Sequence, residues 1–347
     1  MKRFLGAAVI LAGLCSLAMA EDPARPLPET LRPWKLAFVR DGNIWVSSGD
    51  GTDQKLVIKN GHAPAWSPDR SRIAFVRDNN IWLAEADGSR QRPVTSHWKK
   101  DDRKRDTGFS DVRIRISWHP KSDSITFSHP EEFRVERVDS TAGIVPAKNA
   151  AGGTLIGTSI FEVRLTGTEP GKAIVRYDLF EGGTGFFFAD HANPAWAPSG
   201  KKLAFTRNGD LWIAGMKNGP EGEPPVGWEV KRVAAVASYD EPTFRASRSN
   251  RGATGLSWHP AGRHLAYGYG RLQGSGFNEV HLLDTETGRD SMIAADALEP
   301  CFSPDGTFIV YWTYAEEQCG KGICICAVSR DGKHRWKLVP GGKDPVW

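Results

Sequence analysis

GHAPAWSPDRSRIAFVRDNNIW, residues 61–82, decides how the rest of the chain is read. It divides into a short strand ending at Trp66, a turn at Ser67-Pro68-Asp69-Arg70, an apolar run from Ile73 to Val76, and a second turn before Ile81-Trp82. Pro at the second position of the turn fixes its backbone angle, and Ser at the first can hydrogen-bond back to the chain. The run that follows is β-branched and aromatic and too short for a helix.

The unit recurs. An aromatic residue precedes an aliphatic one by seven positions at Trp66/Ile73, Trp118/Ile125, Trp196/Leu203, Trp258/Leu265 and Phe302/Ile309. The gaps hold SPDR, HPKS, APSG, HPAG and SPDG, and the strands after them read IAFVR, ITFSH, LAFTR, LAYGY and IVYWT. Third strands follow as NIWV, NIWLA, EVRL, DLWIA, EVHLL and GICICAV. A sixth copy is split, with LAFVR at 36–40 lacking a first strand and Asp344-Pro345-Val346-Trp347 supplying one. A fixed period of this kind marks a repeat architecture, and a split copy closes a ring without leaving a long open sheet edge. The expected fold is all-β: a six-bladed β-propeller over residues 34–347, with four-stranded antiparallel blades and the C-terminal strand pairing into the N-terminal blade.

These turns and strands resemble the WD40-like repeats of the TolB family, whose signature is a Pro-x-Trp-Ser-Pro-Asp-Gly turn, an Ile/Leu-Ala-Phe strand and a Gly-x-Ile-Trp strand. The matching residues are those of turn and core, so the resemblance speaks to fold more than to chemistry. It implies an interaction platform of the cell envelope. The chain departs from the TolB pattern in having only about a dozen residues between its leader and the first blade strand, where TolB resembles a two-domain protein.

Lys2 and Arg3, an apolar run from Phe4 to Met19 and small residues at Ala18 and Ala20 read as a signal peptide over residues 1–20, with Cys15 and Leu14 a poor match to a lipidation site. Residues 21–33 are proline-rich and expected to run extended. No later stretch is apolar enough to span a bilayer, so the product is expected in the periplasm or secreted, as a monomer. The chain has 45 basic and 41 acidic residues for a net charge of +4, which falls to +2 once Lys2 and Arg3 leave with the leader. So small a charge gives no global argument for nucleic acid or an anionic membrane.

Turns between first and second strands, and between third and fourth, are short and nearly uniform, with Lys217 to Gly227 the one exception. The connections belonging to the other face are long: 96–112, 129–158, 238–253, 272–277 and 314–322. Within 129–158, VERVDSTAGIVPA reads as an added hairpin. Loops on a rigid scaffold are where binding usually resides, which places the functional surface on this face. Its basic loops carry Arg113, Arg115, Arg245 and Arg248, residues suited to a carboxylate or other anion but equally to a self-paired, solvated run. First strands line the channel, so Ala63, Arg115, Asn193, Gly255, Glu299 and Asp344, each three positions before its blade's aromatic, form a ring. His62 and His191 lie just outside it, and His97 belongs to a long loop. The ring could take a small ligand or an inserted peptide, or hold ordered water.

His119 and His259 occupy the Ser position of the turn and His281 the Trp position of a third strand, which gives all three structural work. No HExxH, GxSxG or Gly-rich phosphate loop is present. No catalytic residue, metal or cofactor is expected. Cys301, Cys319, Cys324 and Cys326 all fall in the last blade, where an exported protein would form disulfides; three pairings are open, and a zinc site is the alternative. Cys324 is read at the Trp position of its strand. The leading expectation is a scaffold that binds a protein or peptide through the loop-rich face and channel mouth. An envelope enzyme or small-ligand receptor of the carbohydrate lyase or hydrolase type is the alternative, and the accessory propeller of a serine peptidase is weaker because no hydrolase domain follows Trp347.

Overall fold

A computed structural model describes residues 26–96, 114–134, 137–139, 143–145, 154–165, 172–175, 191–207, 209–216, 228–235, 251–271 and 278–347. They form six four-stranded antiparallel sheets arranged as the blades of a propeller, together with one small hairpin.

Blade one joins the two ends of the chain: Lys343–Val346 is its inner strand, followed outward by Lys35–Arg40, Asn43–Ser48 and Lys55–Ile58. Blade two is His62–Trp66, Arg72–Arg77, Asn80–Glu85 and Arg92–Pro93; blade three is Ile116–Trp118, Ser124–Arg134, Thr154–Arg164 and Lys172–Val175. Blade four is His191–Trp196, Lys202–Arg207, Asp210–Met216 and Trp228–Ala234; blade five is Arg251–Trp258, His264–Arg271, Glu279–Asp284 and Asp290–Ala295. Blade six is Ala297–Phe302, Phe308–Thr313, Cys324–Ser329 and Arg335–Pro340. The closure expected from the split repeat is present, with Ala37 opposite Val346 and Val39 opposite Lys343.

The second strands are buried on both faces, which is why they read as continuous apolar runs and not as alternation. In blade one, Ala37 and Val39 pack toward blade two, while Leu36 and Phe38 pack toward blade six. In blade two, Ile73 and Phe75 face blade one, and Ala74 and Val76 face blade three. The core is therefore a ring of six apolar clusters, one at each junction between blades, and not a single central mass. Tryptophans at the ends of inner strands staple some junctions: Trp118 Nε1 donates to the Ala65 carbonyl at 3.0 Å and Trp258 Nε1 to the Ala195 carbonyl at 2.9 Å, each in the preceding blade.

The turns hold as their residues dictate. Ser67 Oγ accepts the Arg72 amide at 2.9 Å and donates to Asp69, and Ser303 and Asp305 repeat the arrangement in blade six. At His119 and His259 an imidazole nitrogen takes the serine's part in accepting a turn amide, from Lys121 and Ala261 respectively.

Three expectations change in detail. Residues 29–31 close a 3-10 turn instead of running extended, because Leu31 is drawn fully out of solvent into the cluster between blades six and one. In blade three, the start of the long connection does not leave the blade: Ser124–Arg134 and Thr154–Arg164 pair along their whole length, from Arg164 opposite Ser124 to Thr154 opposite Arg134. Beyond them Arg137–Asp139 and Gly143–Val145 form the added hairpin. In blade six, Cys326 and not Cys324 lies opposite the strand's aromatic, Tyr311, in the place that Trp45 takes opposite Phe38. Cys324 stands two residues earlier, opposite Thr313.

Candidate functional site at the central channel

The channel encloses a cavity of about 740 Å³, and Ala63, Arg115, Asn193, Gly255, Glu299 and Asp344 all line it. What sets this ring apart is backbone conformation. In five of the six inner strands the register slips by one residue at this place. The extra residue is left-handed, with φ of 46° at Ala63, 52° at Asn193, 53° at Gly255, 55° at Glu299 and 51° at Asp344. Each is thus a β-bulge, a device that re-aims a side chain and bends a strand. Proline follows at Pro64, Pro194, Pro300 and Pro345, where the missing N–H is harmless because the strand is the channel-facing edge of its sheet. Asn and Asp tolerate this conformation, whereas Ala63 and Glu299 carry a cost of about 1–2 kcal/mol each.

Arg115 and Glu299 come from opposite blades, three and six, and their side chains meet in an ion pair that bars the channel. Asp344 of blade one stands 3.9 Å from the same guanidinium, and Trp312 Nε1 donates to the second Glu299 oxygen at 2.9 Å. Arg115 is 17 % exposed, Glu299 10 % and Asp344 12 %. A charge pair so enclosed is screened less than one on the surface. Arg115 therefore faces two carboxylates of its own ring, and as it stands it is not the free anion receptor that the sequence suggests. Asn193 turns back to its own blade, donating to Thr206 Oγ1 at 3.1 Å.

His62 begins the inner strand of blade two, exposed beside the Asp41-Gly42 turn, and His191 begins that of blade four. His97, Arg113, Arg245 and Arg248 lie outside the described residues. So do most of the long connections, although the strands that flank them put their ends on the face of the ring that carries this mouth. Arg77, on the turn between second and third strands of blade two, is spent on structure: it lies over Phe75 and Trp82 and donates to the Lys59 carbonyl at 2.7 Å.

The channel's other end is made by the turns. Pro68, Pro120, Pro198, Pro260 and Pro304 line it, with Trp34 and Arg70. Arg70 takes the turn position that Gly200, Gly262 and Gly306 take elsewhere, in the same left-handed conformation, φ 62°. Burial pushes its guanidinium below the ordinary value and pushes the nearby Cys301 thiol up. Neither Arg70 nor Trp312 stands out as a site residue in the ring pattern, but SPDR in place of SPDG is the visible mark of Arg70.

The cysteines separate. Cys319 and Cys324 form a disulfide, with Cα atoms 5.4 Å apart, because the short helix Glu316–Cys319 brings the loop back over its strand. Cys301 and Cys326 are free thiols, contrary to the expectation that all four are disulfide candidates. Cys301 lines the channel, away from the pair, and Cys326 is buried with its sulfur 3.6 Å from that of Cys324. His281 has the structural place expected of it: its two ring nitrogens contact Asp290 and Glu279, each at 2.9 Å, and Tyr267 donates to the same Asp290 oxygen at 3.0 Å. Among the described residues no three His, Cys, Asp or Glu side chains converge as metal ligands, and no helix is long and apolar enough to cross a membrane.

With this geometry established, comparison with solved structures is direct. TolB from Acinetobacter baumannii superposes with a TM-score of 0.60 at 20% identity, covering 91% of this chain and 67% of that one. The fold is that of a TolB-like six-bladed propeller. A chain of a nidogen/laminin complex matches the TolB-like chain with a TM-score of 0.54 at 11% identity, covering 90% of this chain and 97% of that one. An oligogalacturonate lyase in complex with manganese matches more loosely, with a TM-score of 0.48 at 12% identity over 86% of this chain and 70% of that one. In sequence, the profile of the dipeptidyl peptidase IV N-terminal region matches residues 59–111 of the TolB-like chain. No curated protein matches it in sequence.

Proposed function

We propose that this TolB-like propeller is an exported scaffold of the cell envelope that binds a protein or peptide on its loop-rich face, at the channel mouth. The observation that carries the reading is the bulged ring that lines the channel mouth, on the face to which the repeat pattern assigns the long connections. Bulges at Glu299 and Asp344 set two carboxylates beside Arg115, while the turns between first and second strands, on the opposite face, are short and of related sequence. The Arg115–Glu299 bar shapes what binds. A partner segment sits on the pair or inserts by exchanging one of its own charges for a member of it, so acidic or basic side chains that complement Arg115 or the Glu299–Asp344 pair are favoured.

Photo-crosslinking tests the reading. A crosslinker at His62 or Asn193 is expected to capture an envelope protein, and one at Ser71, on the turn face, is not. Equal capture from both faces, or capture from neither together with turnover of a substrate by the purified protein, sinks the scaffold reading.

A further inference from the structure

The turn end of the channel carries a feature that the mouth does not explain. The cavity is lined by four charged side chains, Arg70, Arg115, Glu299 and Asp344. Three of them are grouped at the mouth, two acids around one guanidinium. Arg70 lies at the opposite end: among the described residues no acid is within ion-pair distance of its guanidinium and none hydrogen-bonds its side chain, and its electrostatic neighbour is the Cys301 thiol.

Folding alone does not account for Arg70. Its position is left-handed, a demand that glycine meets in the turns at Gly200, Gly262 and Gly306 and a short serine at Ser122, so the long side chain here costs about 1 kcal/mol. A partly buried cation without a partner adds a desolvation cost. Its surroundings are apolar and rigid: Trp34, Pro68, Pro304 and Trp347 line the same end, with the Cys301 thiol within electrostatic reach across the inner strand of blade one. The two junctions flanking that strand also differ from the rest. Trp66 and Trp347 leave their Nε1 groups without an acceptor, where Trp118, Trp196 and Trp258 each donate to the preceding blade. Strained residues cluster at binding and active sites, which makes this one a candidate.

We propose that the turn end of the channel is a second binding site, which receives a carboxylate on an apolar stem. Arg70 supplies the planar fork of donors that a carboxylate fits, and the tryptophan and proline walls exclude water from the pair and take the stem. The arrangement of charge sets the ligand's direction, since the acidic excess around Arg115 repels an anion from the mouth while Arg70 holds it at the other end. This site stands apart from the protein-binding reading of the mouth, and neither depends on the other.

The tryptophans lining the channel give an intrinsic fluorescence signal for the test. Two pairs of probes are titrated, 3-phenylpropionate against 3-phenylpropionamide, and acetyl-Ala-Phe with a free C-terminus against its amide. The expected result is at least a tenfold preference for acid over amide in the first pair, the second or both. A preference in the first pair identifies a small carboxylate, and one confined to the second identifies a polypeptide C-terminus. The Arg70→Gly variant is expected to abolish the preference while melting at the same temperature as the parent or higher, because glycine suits φ 62°. Absence of an acid preference in both pairs, or a preference that survives in Arg70→Gly, overturns the proposal.

Discussion

Gly255 is the glycine of the channel ring, at a position where a side chain would be both strained and crowded. Its φ is 53°, and a Cβ there would come within 3.2 Å of the Glu299 Cα in the next blade. Gly255→Ala is expected to cost about 1–2 kcal/mol from the conformation alone, more if Glu299 is displaced, and denaturant midpoints measure it. His281 makes a different prediction. Burial acts to lower its pKa, but the carboxylates of Asp290 and Glu279 outweigh burial and the net shift is upward. The imidazolium thus favours the folded state most at pH below the ordinary histidine value, and the contribution fades as pH rises through the raised one. NMR titration should find His281 titrating above 6.5, and His281→Asn should flatten that part of the stability profile; an unshifted histidine would contradict the assignment. At this scale the sequence is an incomplete guide. Counting three back from each aromatic finds Arg115 and Glu299 as members of one ring, but only the curvature of the ring brings opposite blades close enough for the two to pair. The isolation of Arg70 is likewise a fact of three dimensions, though its intrusion into a glycine position can be read directly.

Strands were legible where composition and spacing agree. Second strands such as Arg72–Arg77 announce themselves by an unbroken apolar run, and the reason is now physical: their alternate residues serve two neighbouring blades. The bulges were hidden, because Ala63, Asn193 and Glu299 share no side-chain chemistry; what they share is backbone geometry and, with Asp344, a following proline. Gly322-Ile323-Cys324 matches Asn43-Ile44-Trp45 in sequence and so points to Cys324 for the tryptophan position, whereas the partner of the aromatic Tyr311 is Cys326. The disulfide lies on this element. Because it closes a short loop, Cys319→Ser is expected to lower stability by only about 2 kcal/mol. Thiol labelling of the unfolded, unreduced protein should modify Cys301 and Cys326 but neither Cys319 nor Cys324, and labelling of all four would refute the pairing.

On the scale of the whole molecule, stability is distributed around a ring of six interfaces, and closure depends on a strand of four residues. Trp347, just beyond it, is 3% exposed and packs into the cluster between blades six and one. Trp347→Ala is expected to destabilise the protein by about 3–5 kcal/mol, and thermal unfolding should remain a single transition if the ring breaks as a unit. Two separated transitions would mean that the blades melt independently. The six-fold count and its closure were fully legible, since both follow from one repeated spacing and its split copy. What the loop-rich face binds was not, because the repeated residues are used up in turns and interfaces and the long connections share no pattern.

The pairing of Lys343–Val346 with Lys35–Arg40 also imposes an order in time. The inner edge of Lys35–Arg40 stays open until residues 343–346 join it, whatever else has folded. Through that interval blade one is a three-stranded sheet with an unpaired edge, and the cluster it shares with blade six cannot assemble. A chain lacking residues 343–346 is expected to associate edge to edge, which light scattering of such a truncation would show.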